Sequence, residues 1–315
     1  MAQSTPTGSA IVTGAGSGIN LSFAKLLLQN GYNVLIADLK LDQDAETLVK
    51  QYKTKRGPRA VFVHTDVRDW AQLRHMFIVA EMEFGSVEIV CPGAGVFEPA
   101  QSSFWAPPGS KGCVDSPMRN GYASLDINLI HPIYTTQLAI AHFMKHKNAC
   151  ATHRKKHIIQ VASIAGEMAL LALPLYAIAK RGLISLAQSL APLDTLGIRV
   201  TGIAPGIVKT PIWSQDKLAL VDESTDEWVN ADRVAKVMFD LVSKDRIQVS
   251  AQESVAVHGG TVLELSQSLR EVHLYNDPGP LNRPGNTVSH LESANEQILQ
   301  LVGSEGWKSW KDDRR

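Results

Sequence analysis

A short apolar strand, a glycine-rich turn and an amphipathic helix follow one another near the start of the chain, and this order restricts the fold most strongly. Residues 9–13 are mostly apolar and β-branched, as in a buried strand, and residues 21–29 carry apolar side chains at helical spacing. The turn between them has Gly14 and Gly18 in a T-G-x-x-x-G pattern instead of the usual G-x-G-x-x-G. Glycines let a backbone approach a phosphate closely, and a helix N terminus offers free N–H groups and a positive dipole. The segment therefore predicts nucleotide binding, with a plain tight turn as the alternative.

The same alternation of strand and helix continues along most of the chain. It predicts an α/β fold, a single-domain Rossmann-type doubly wound parallel sheet of seven strands with helices on both faces, plus a C-terminal helical tail. We expect residues 1–265 to form one dinucleotide-binding and catalytic domain, and residues 266–315 to form a C-terminal extension with one helix. The seven predicted strands are residues 9–13, 33–37, 59–64, 87–91, 157–162, 198–203 and 261–265.

Acidic residues stand where two of the predicted strands end. Asp38 follows the second strand, about 20 residues past the glycines, where a carboxylate can accept hydrogen bonds from the adenosine ribose. It would repel a 2′-phosphate about 4 Å away by roughly 1 to 4 kcal/mol, so Asp38 favours NAD over NADP, although Lys40 would soften this repulsion. Asp66 and Val67 follow the third strand, where they would hold an adenine edge. A surface-loop aspartate is the alternative at Asp66.

Tyr176 and Lys180 lie four residues apart, on one face of a predicted helix that begins near Pro174. A phenol has a pKa near 10, and lowering it by about 2 to 3 units requires about 3 to 4 kcal/mol, part of which a nearby ammonium supplies. Ser163 ends the fifth predicted strand, thirteen residues before Tyr176. Asn128 precedes a proline by four residues, and this proline should disturb the helical backbone there. By itself, however, the Tyr–Lys pair is also what an ordinary helix would show.

The composition argues against several other classes of protein. Lys plus Arg and Asp plus Glu number 31 each, which leaves no basic excess for nucleic acid or an anionic membrane. No apolar run reaches about 18 residues, so we expect no membrane span, and no early segment resembles a signal peptide. Cys91, Cys113 and Cys150 are far apart and are interpreted as free thiols, which predicts a cytoplasmic protein. The histidines form no HExxH motif, and we predict no metal site.

Taken together, these segments resemble the short-chain dehydrogenases/reductases over about residues 9–265. Residues 99–119 are rich in Pro, Gly and Ser and are predicted to form an inserted loop. The style of this loop and of the NDPGP tail resembles most the fungal members of the subgroup around 15-hydroxyprostaglandin dehydrogenase. The matching segments, in order, are TGAGSGI, Asp38, Asp66-Val67, CPGAG, Asn128, Ser163, YAIAK and PGIVKT.

The resemblance implies a role for each of the matching residues. Tyr176 would be the general acid/base, and Lys180 would lower its pKa and hold the nicotinamide ribose. Ser163 would orient the substrate oxygen, and Asn128 would hold a water in a proton relay behind Lys180. The implied cofactor is NAD, with NADP less favoured. The residues implied to contact it are Gly14, Ser17, Gly18, Ile19, Asp38, Asp66, Val67, Gly93, Ala94, Tyr176, Lys180, Pro205, Gly206, Ile207, Val208 and Thr210.

The chain departs from the family pattern at two places. The family often has glycine where this chain has Asn20, at a point where helix and strand crowd together. The family's N-N-A-G becomes Pro92-Gly93-Ala94-Gly95, which removes side-chain amides that tie the sheet together. Both departures bear on how the cofactor lies, and neither affects the proton-transfer residues.

The resemblance implies an NAD(H)-dependent oxidoreductase that interconverts a secondary alcohol and a ketone on an apolar small molecule. Two other functions stay open: a non-redox enzyme on the same scaffold, such as a cyclase or isomerase of secondary metabolism, and a dinucleotide-sensing protein without catalysis. We expect a homodimer or homotetramer, with no nucleic acid and no membrane as partner. The candidates for lining an apolar pocket are Val96, Phe97, Phe104, Trp105, Ile164, Leu170, Leu173 and Trp213.

The C-terminal tail has one predicted helix, at about residues 290–302. We expect this helix to pack on a neighbouring subunit or to cover the pocket, because its apolar residues need burial. These residues are Ile298, Leu299, Leu301 and Val302.

Overall fold

An eight-stranded sheet lies at the centre of the structure, a computed structural model that describes residues 6–53, 57–146, 155–219, 221–273 and 291–304. The strand order is β10-β9-β6-β5-β4-β1-β2-β3, and a separate hairpin pairs β7 with β8. The strands are β1 (Gly8–Thr13), β2 (Tyr32–Asp38), β3 (Ala60–His64), β4 (Ile89–Cys91), β5 (Lys156–Val161), β6 (Ile198–Pro205), β7 (Arg246–Gln248), β8 (Ser254–Ala256), β9 (Val262–Leu265) and β10 (Leu269–Glu271).

Seven of the eight strands of the central sheet run parallel, which confirms the predicted doubly wound sheet. The eighth strand, β10, pairs antiparallel with β9 at the edge, so the sheet continues past Leu265. The β7–β8 hairpin and β10 did not emerge from the sequence. Each of these strands has only three residues, too few to show an apolar period.

Alternate residues of the central strands face opposite layers of helices. In β1, Ala10 and Val12 belong to one core, whereas Ile11 belongs to the other. Both sides are buried, so these strands are continuously apolar, as expected for a parallel sheet. One layer contains α1 (Gly18–Gln29), α2 (Gln43–Gln51) and α8 (Ala231–Ser243), and the other contains α3 (Trp70–Phe84), α5 (His131–Lys145) and α6 (Pro174–Ser189).

The sequence predicts one long helix over about residues 121–147, and this helix is broken in the structure. A short turn, α4 (Ala123–Leu125), leads into a π-helical turn (Asp126–Ile130), and α5 starts only at His131. The cause is Pro132, which has no N–H to donate to the turn before it. The expectation that this proline disturbs the backbone around Asn128 is therefore confirmed.

The tail helix α9 (Leu291–Gly303) packs on its own chain. Val302 is buried, and Leu299 packs against the same core as α3 and α5, whereas Ile298 and Leu301 stay about half exposed. The expectation that this helix covers the pocket is therefore wrong, because α9 contacts α5 and the 3-10 turn Ala191–Leu196. The NDPGP segment and Cys150 lie outside the described residues.

Residues 211–219 and 221–228 contain one short helix, α7 (Gln215–Leu218), between turns. No helix in the described part of the chain is long and apolar enough to cross a membrane.

Candidate active site

The predicted site residues gather at one edge of the sheet, because the carboxyl ends of parallel strands meet there. Gly14 follows β1, Asp38 ends β2, and Asp66 follows β3. On the other half of the sheet, Gly93 follows β4 and Ser163 follows β5. The sheet therefore joins segments that are far apart in the chain into one cleft edge.

The glycine-rich turn has a backbone conformation that requires its glycines. Gly14 and Gly18 have φ values of +70° and +61°, which L side chains rarely adopt. A Cβ on Gly16 would lie 2.8 Å from Asp38 Oδ2, and the Gly16 N–H donates to that oxygen over 2.8 Å. No described side chain caps the N terminus of α1 at Ser17. The N–H groups of the first turn of α1 therefore remain available to an anion.

The two acidic residues of the predicted adenosine site are held in different ways. Asp38 accepts hydrogen bonds from Gly16 and Leu39 N–H groups, which fixes its carboxylate beside the turn. Asp66 forms a two-pronged ion pair with Arg68, with N···O distances of 3.0 and 2.7 Å, and this hydrogen bond holds the pKa of Asp66 below its usual value. Arg68 therefore orients Asp66, a contact that the sequence analysis did not identify.

The two departures from the family pattern are in direct contact. Asn20 is buried in the first turn of α1, and its Nδ2 donates to the Gly93 carbonyl over 2.8 Å. A Cβ on Gly93 would lie 2.4 Å from Asn20 Oδ1, closer than any real contact. Asn20 thus fills the space that a side chain at position 93 would occupy.

A buried histidine, absent from the prediction, links three segments of the site. His131 is fully buried, its Nδ1 lies 3.1 Å from the Ile127 carbonyl, and its Nε2 lies 3.0 Å from Thr13 Oγ1. The same Thr13 oxygen accepts from the Ala94 N–H over 3.1 Å. Burial lowers the pKa of His131 to about 4, so the ring is neutral and can donate from Nδ1 while accepting at Nε2. The sequence feature that points to this histidine is its position directly before Pro132, where the helix is broken.

Ser163, Tyr176 and Lys180 come together beside the end of β5. The Lys180 ammonium donates to the Val161 carbonyl over 2.7 Å and lies 5.4 Å from the centre of the Tyr176 ring. Ser163 Oγ hydrogen-bonds with Tyr176 and lies 3.4 Å from the Pro205 carbonyl. All three predicted side chains are buried.

Burial affects the titration of both members of the Tyr–Lys pair. It raises the pKa of Tyr176 to about 12, and the hydrogen bond with Ser163 acts in the opposite direction. It lowers the pKa of Lys180 to about 8, so the side chain is still mostly an ammonium at pH 7. In the protein alone, Tyr176 is therefore a neutral phenol, and a phenolate requires further positive charge in the occupied site.

Asn128 lies in the π-helical turn, and its amide is already engaged. Its Oδ1 accepts from the Val96 N–H over 2.9 Å, and its Nδ2 donates to the Val96 carbonyl over 2.8 Å. A Cβ on Gly95 would lie 3.0 Å from Asn128 Oδ1 and 3.7 Å from Lys180 Nζ, so Gly95 keeps the space between these groups open. The Asn128 side chain therefore orders the turn after β4.

The segment after β6 lies against the glycine-rich turn. A Cβ on Gly18 would lie 3.2 Å from Thr210, which places the end of this segment beside the pyrophosphate turn. Val208 is held by a bridge to Val229, whose N–H donates to the Ile207 carbonyl over 2.8 Å. The predicted cofactor contacts after β6 thus stand next to the glycine-rich turn.

Aromatic rings border the space beside Tyr176. Phe97 packs edge-on against Tyr176 with 4.9 Å between ring centres, and against Trp213 with 4.8 Å. Trp213 in turn contacts Trp228. The predicted candidates Leu170 and Leu173 pack with Phe97 and Tyr176, whereas Phe104 and Trp105 are half exposed and contact each other.

Glu81, His142 and His146 form a cluster away from this site, with ligand-type atoms within 4.8 Å of one another. The His142 Nε2 accepts from the Val87 N–H over 3.1 Å, which leaves the ring proton on Nδ1, facing Glu81. Lys145 also donates to Glu81 over 2.6 Å. His142 therefore presents a proton to Glu81, whereas His146 Nε2 has no hydrogen-bond partner among the described residues.

A model of the short chain dehydrogenase family matches residues 9–219, more than half of the chain. The chain belongs to this family. It is accordingly an oxidoreductase of the dehydrogenase/reductase type, and members of the family bind nicotinamide cofactors. The predicted resemblance is confirmed.

Relatives of this short-chain dehydrogenase include alcohol dehydrogenases from distant organisms. The (+)-borneol dehydrogenase 1 of Salvia officinalis is 31% identical over 265 residues, which cover 81% of this chain and 94% of the relative. The 15-hydroxyprostaglandin dehydrogenase [NAD(+)] of Rattus norvegicus is 30% identical over 206 residues, covering 64% of this chain and 69% of the relative.

Solved structures share the fold. The 3-ketoacyl-(acyl-carrier-protein) reductase from Brucella melitensis, complexed with NADH, aligns with a TM-score of 0.64 at 23% identity, covering 83% of this chain and 98% of that one. A short chain dehydrogenase from Burkholderia cenocepacia J2315, in complex with NADP, aligns with a TM-score of 0.61 at 25% identity, covering 76% and 91%. Both dinucleotides thus occur among the neighbours.

Proposed function

We propose that this protein is an NAD(H)-dependent enzyme that interconverts a secondary alcohol and a ketone on an apolar small molecule. The observation that carries the proposal is the buried set of Ser163, Tyr176 and Lys180, in which the hydroxyls of Ser163 and Tyr176 are hydrogen-bonded and the ammonium faces the Tyr176 ring. A non-redox reaction would not need a proton-transfer set beside a pyrophosphate turn. Relatives named as dehydrogenases of borneol and of a hydroxyprostaglandin support the same reaction class.

The residues for holding the dinucleotide fit it. In the proposal, the free N–H groups after Ser17 bind the pyrophosphate, and Asp38 binds the adenosine ribose hydroxyls. Asp66 and Val67 border the adenine, while Thr210 and its neighbours orient the carboxamide. When bound, the dinucleotide supplies the carbon that accepts or donates the hydride, and its oxidised form adds positive charge to the site.

Tyr176 is proposed to move the proton that accompanies the hydride. In alcohol oxidation the tyrosinate removes the hydroxyl proton, and in ketone reduction the neutral phenol returns it to the oxygen. Ser163 donates a hydrogen bond to the same oxygen as negative charge develops there. The Lys180 ammonium, 5.4 Å from the centre of the Tyr176 ring, would favour the phenolate through Coulomb attraction. Lys180 thereby counters part of the burial effect on Tyr176.

The side chain of Asp38 supports NAD as the preferred cofactor. Its carboxylate is fixed beside the turn by Gly16, and a 2′-phosphate bound there would face this charge. Lys40 is exposed and forms no ion pair among the described residues, so it offers only weak compensation. Parallel fluorescence titrations with NADH and NADPH test this preference, and equal affinities would contradict it.

The aromatic border formed by Phe97, Trp213 and Trp228 supports an apolar alcohol or ketone as substrate. We also propose that the protein is a homodimer or homotetramer, as the family pattern implies. Ile178 on α6 supports an assembly, because this apolar side chain is 56% exposed.

Replacing Tyr176 with Phe tests the assigned chemistry. The variant keeps the ring and its packing but loses the proton-transferring hydroxyl, so we expect turnover to fall by about 10³-fold or more. The affinity for NADH should stay within about twofold of the wild-type value, because the residues proposed to bind the pyrophosphate and the adenosine are unchanged. Tyr52→Phe removes a hydroxyl outside the site and should leave turnover unchanged. Full activity in Tyr176→Phe, or product formation without a change in nicotinamide absorbance, would overturn the proposal.

A further inference from the structure

Glu98 is a buried acid that the sequence analysis did not single out. Its side chain has no exposed surface, and it lies in the loop after β4 with a backbone φ of +32°. Non-glycine residues rarely adopt this region, and they hold it only where the surrounding structure enforces it. Both features indicate that the position of this carboxylate is specified by its contacts.

The carboxylate joins two segments of the site. Its Oε2 accepts from the Tyr176 N–H over 2.9 Å, and its Oε1 accepts from Ser103 Oγ over 3.1 Å and from the Phe104 N–H over 3.0 Å. The Tyr176 N–H belongs to the first turn of α6, where Leu173 provides no side-chain cap. Glu98 therefore supplies the missing cap from another segment of the chain.

The neighbouring residue contacts the other end of Tyr176. The ring of Phe97 packs edge-on against the Tyr176 ring, at 4.9 Å and an interplanar angle of 72°. Glu98 thus holds the backbone of Tyr176, and Phe97 holds its ring. The inserted loop is tied to the same point through Ser103 and Phe104.

We propose that Phe97 and Glu98 act together as a clamp that positions the Tyr176 hydroxyl against Ser163 and Lys180. This inference rests on the proposed function, in which Tyr176 transfers a proton. Glu98 is a positioning residue in this scheme, because it contacts Tyr176 through the backbone N–H. A displacement of about 1 Å at a reacting group reduces the rate by about 100-fold, so a clamp on this side chain has kinetic consequences.

Glu98→Gln is the direct test, in the full-length enzyme with its alcohol substrate and NAD. The carboxylate accepts from donors on both sides, whereas an amide must turn its NH₂ toward one of them. We expect kcat to fall by about tenfold to 100-fold with the KM for NAD within about twofold. The acid limb of the kcat profile should move to higher pH, because a displaced phenol loses contact with Ser163 and Lys180. Loss of the Glu98 charge acts in the opposite direction, so Phe97→Leu, which keeps this charge, gives the shift unopposed.

The charged groups around this pair define the profile. They include Lys180 on α6, Glu98 itself and Lys217, whose Nζ lies 5.7 Å from the centre of the Phe97 ring. Phe97→Leu leaves these charged residues in place and removes the ring contacts with Tyr176, Trp213 and Lys217. It should lower kcat severalfold and move the acid limb in the same direction, which tests the clamp even if Glu98→Gln folds poorly.

Glu88→Gln is the matched control for a purely structural role. Like Glu98, Glu88 is buried and accepts hydrogen bonds from three donors, which are Ser9 N–H, Ser86 Oγ and Lys156 Nζ. It lies at the amino end of β4, away from the site. Its variant should lose thermal stability and keep the wild-type acid limb. The clamp is overturned if Glu98→Gln or Phe97→Leu keeps the wild-type kcat and profile, or if Glu88→Gln moves the limb equally. Absence of turnover in the wild-type protein would instead refute the proposed function.

Discussion

Replacing Gly93 with Ala tests whether Asn20 occupies the space that a side chain at position 93 would need. The added Cβ would lie 2.4 Å from Asn20 Oδ1 and 2.6 Å from Asn20 Cγ, about 1 Å inside normal contact. The backbone itself accepts alanine, because the φ of Gly93 lies outside the left-handed region. Any loss of stability therefore comes from Asn20. Overpacking costs about 1 to 3 kcal/mol, and the displaced hydrogen bond to the Gly93 carbonyl adds about 1 kcal/mol.

The companion variant is Asn20→Gly, which loses the same hydrogen bond and leaves a cavity. Removing about 50 Å³ costs about 1 kcal/mol at 24 cal/mol per Å³, and glycine within a helix adds about 0.5 kcal/mol. Adding Gly93→Ala to this background should cost little, because the three atoms nearest to the new Cβ all belong to Asn20. We therefore expect a coupling energy of about 2 kcal/mol between the two positions.

Thermal unfolding of the four proteins measures this coupling. At about 2 to 4 °C per kcal/mol, Gly93→Ala should lower Tm by about 4 to 16 °C in the wild-type background and by less than about 2 °C in Asn20→Gly. Gly121→Ala serves as the control, because its added Cβ would meet nothing closer than 3.8 Å. If the two substitutions change the free energy of unfolding additively, within about 0.5 kcal/mol, Asn20 does not occupy the space beside Gly93.

Two further predictions concern charges at the site. Asp38→Asn keeps the shape of the side chain but removes its charge, so the NADH-to-NADPH affinity ratio in paired titrations should fall by at least about fivefold. Asp44→Asn, on the exposed face of α2, is the control and should leave this ratio unchanged. Lys180→Met should stabilise the protein by about 1 to 3 kcal/mol at pH 7 in urea unfolding. Burial lowers the pKa of Lys180 to about 8 from 10.5, so unfolding takes up a proton between these values and wild-type stability rises with pH there. The advantage of Lys180→Met should therefore shrink toward pH 10.5, and an equal advantage at pH 7 and pH 10.5 would contradict the assignment.

Much of the site was predictable because its residues occupy strand ends. Asp38 and Ser163 stand directly at the ends of apolar segments, and parallel strands bring such ends to one edge whatever the details of packing. Tyr176 and Lys180 needed only the helical period to share a face. Pro132 predicted the backbone disturbance near Asn128, because a proline within a helix lacks the N–H that the preceding turn needs, and the π-helical turn confirms it.

The contacts that orient these residues were not predictable in the same way. The bonds from His131 to Thr13, from Glu98 to Tyr176 and from Asn20 to Gly93 join residues 118, 78 and 73 positions apart. Each depends on which strands lie side by side and on the direction of single side chains. A fully buried glutamate also violates the usual rule that charged residues are exposed, so composition alone gave no reason to select it.

The amino-acid sequence by itself determined the alternation of buried strands and helices, the glycine-rich turn and the order of the proton-transfer residues, because these follow from local periodicity and chemistry. Only the tertiary structure decided how Asn20 and Gly93 share one volume, that α9 covers its own core, and that Phe97 and Glu98 hold Tyr176 at both ends. Such choices depend on close packing between distant segments, where a shift of less than 1 Å separates a contact from a clash.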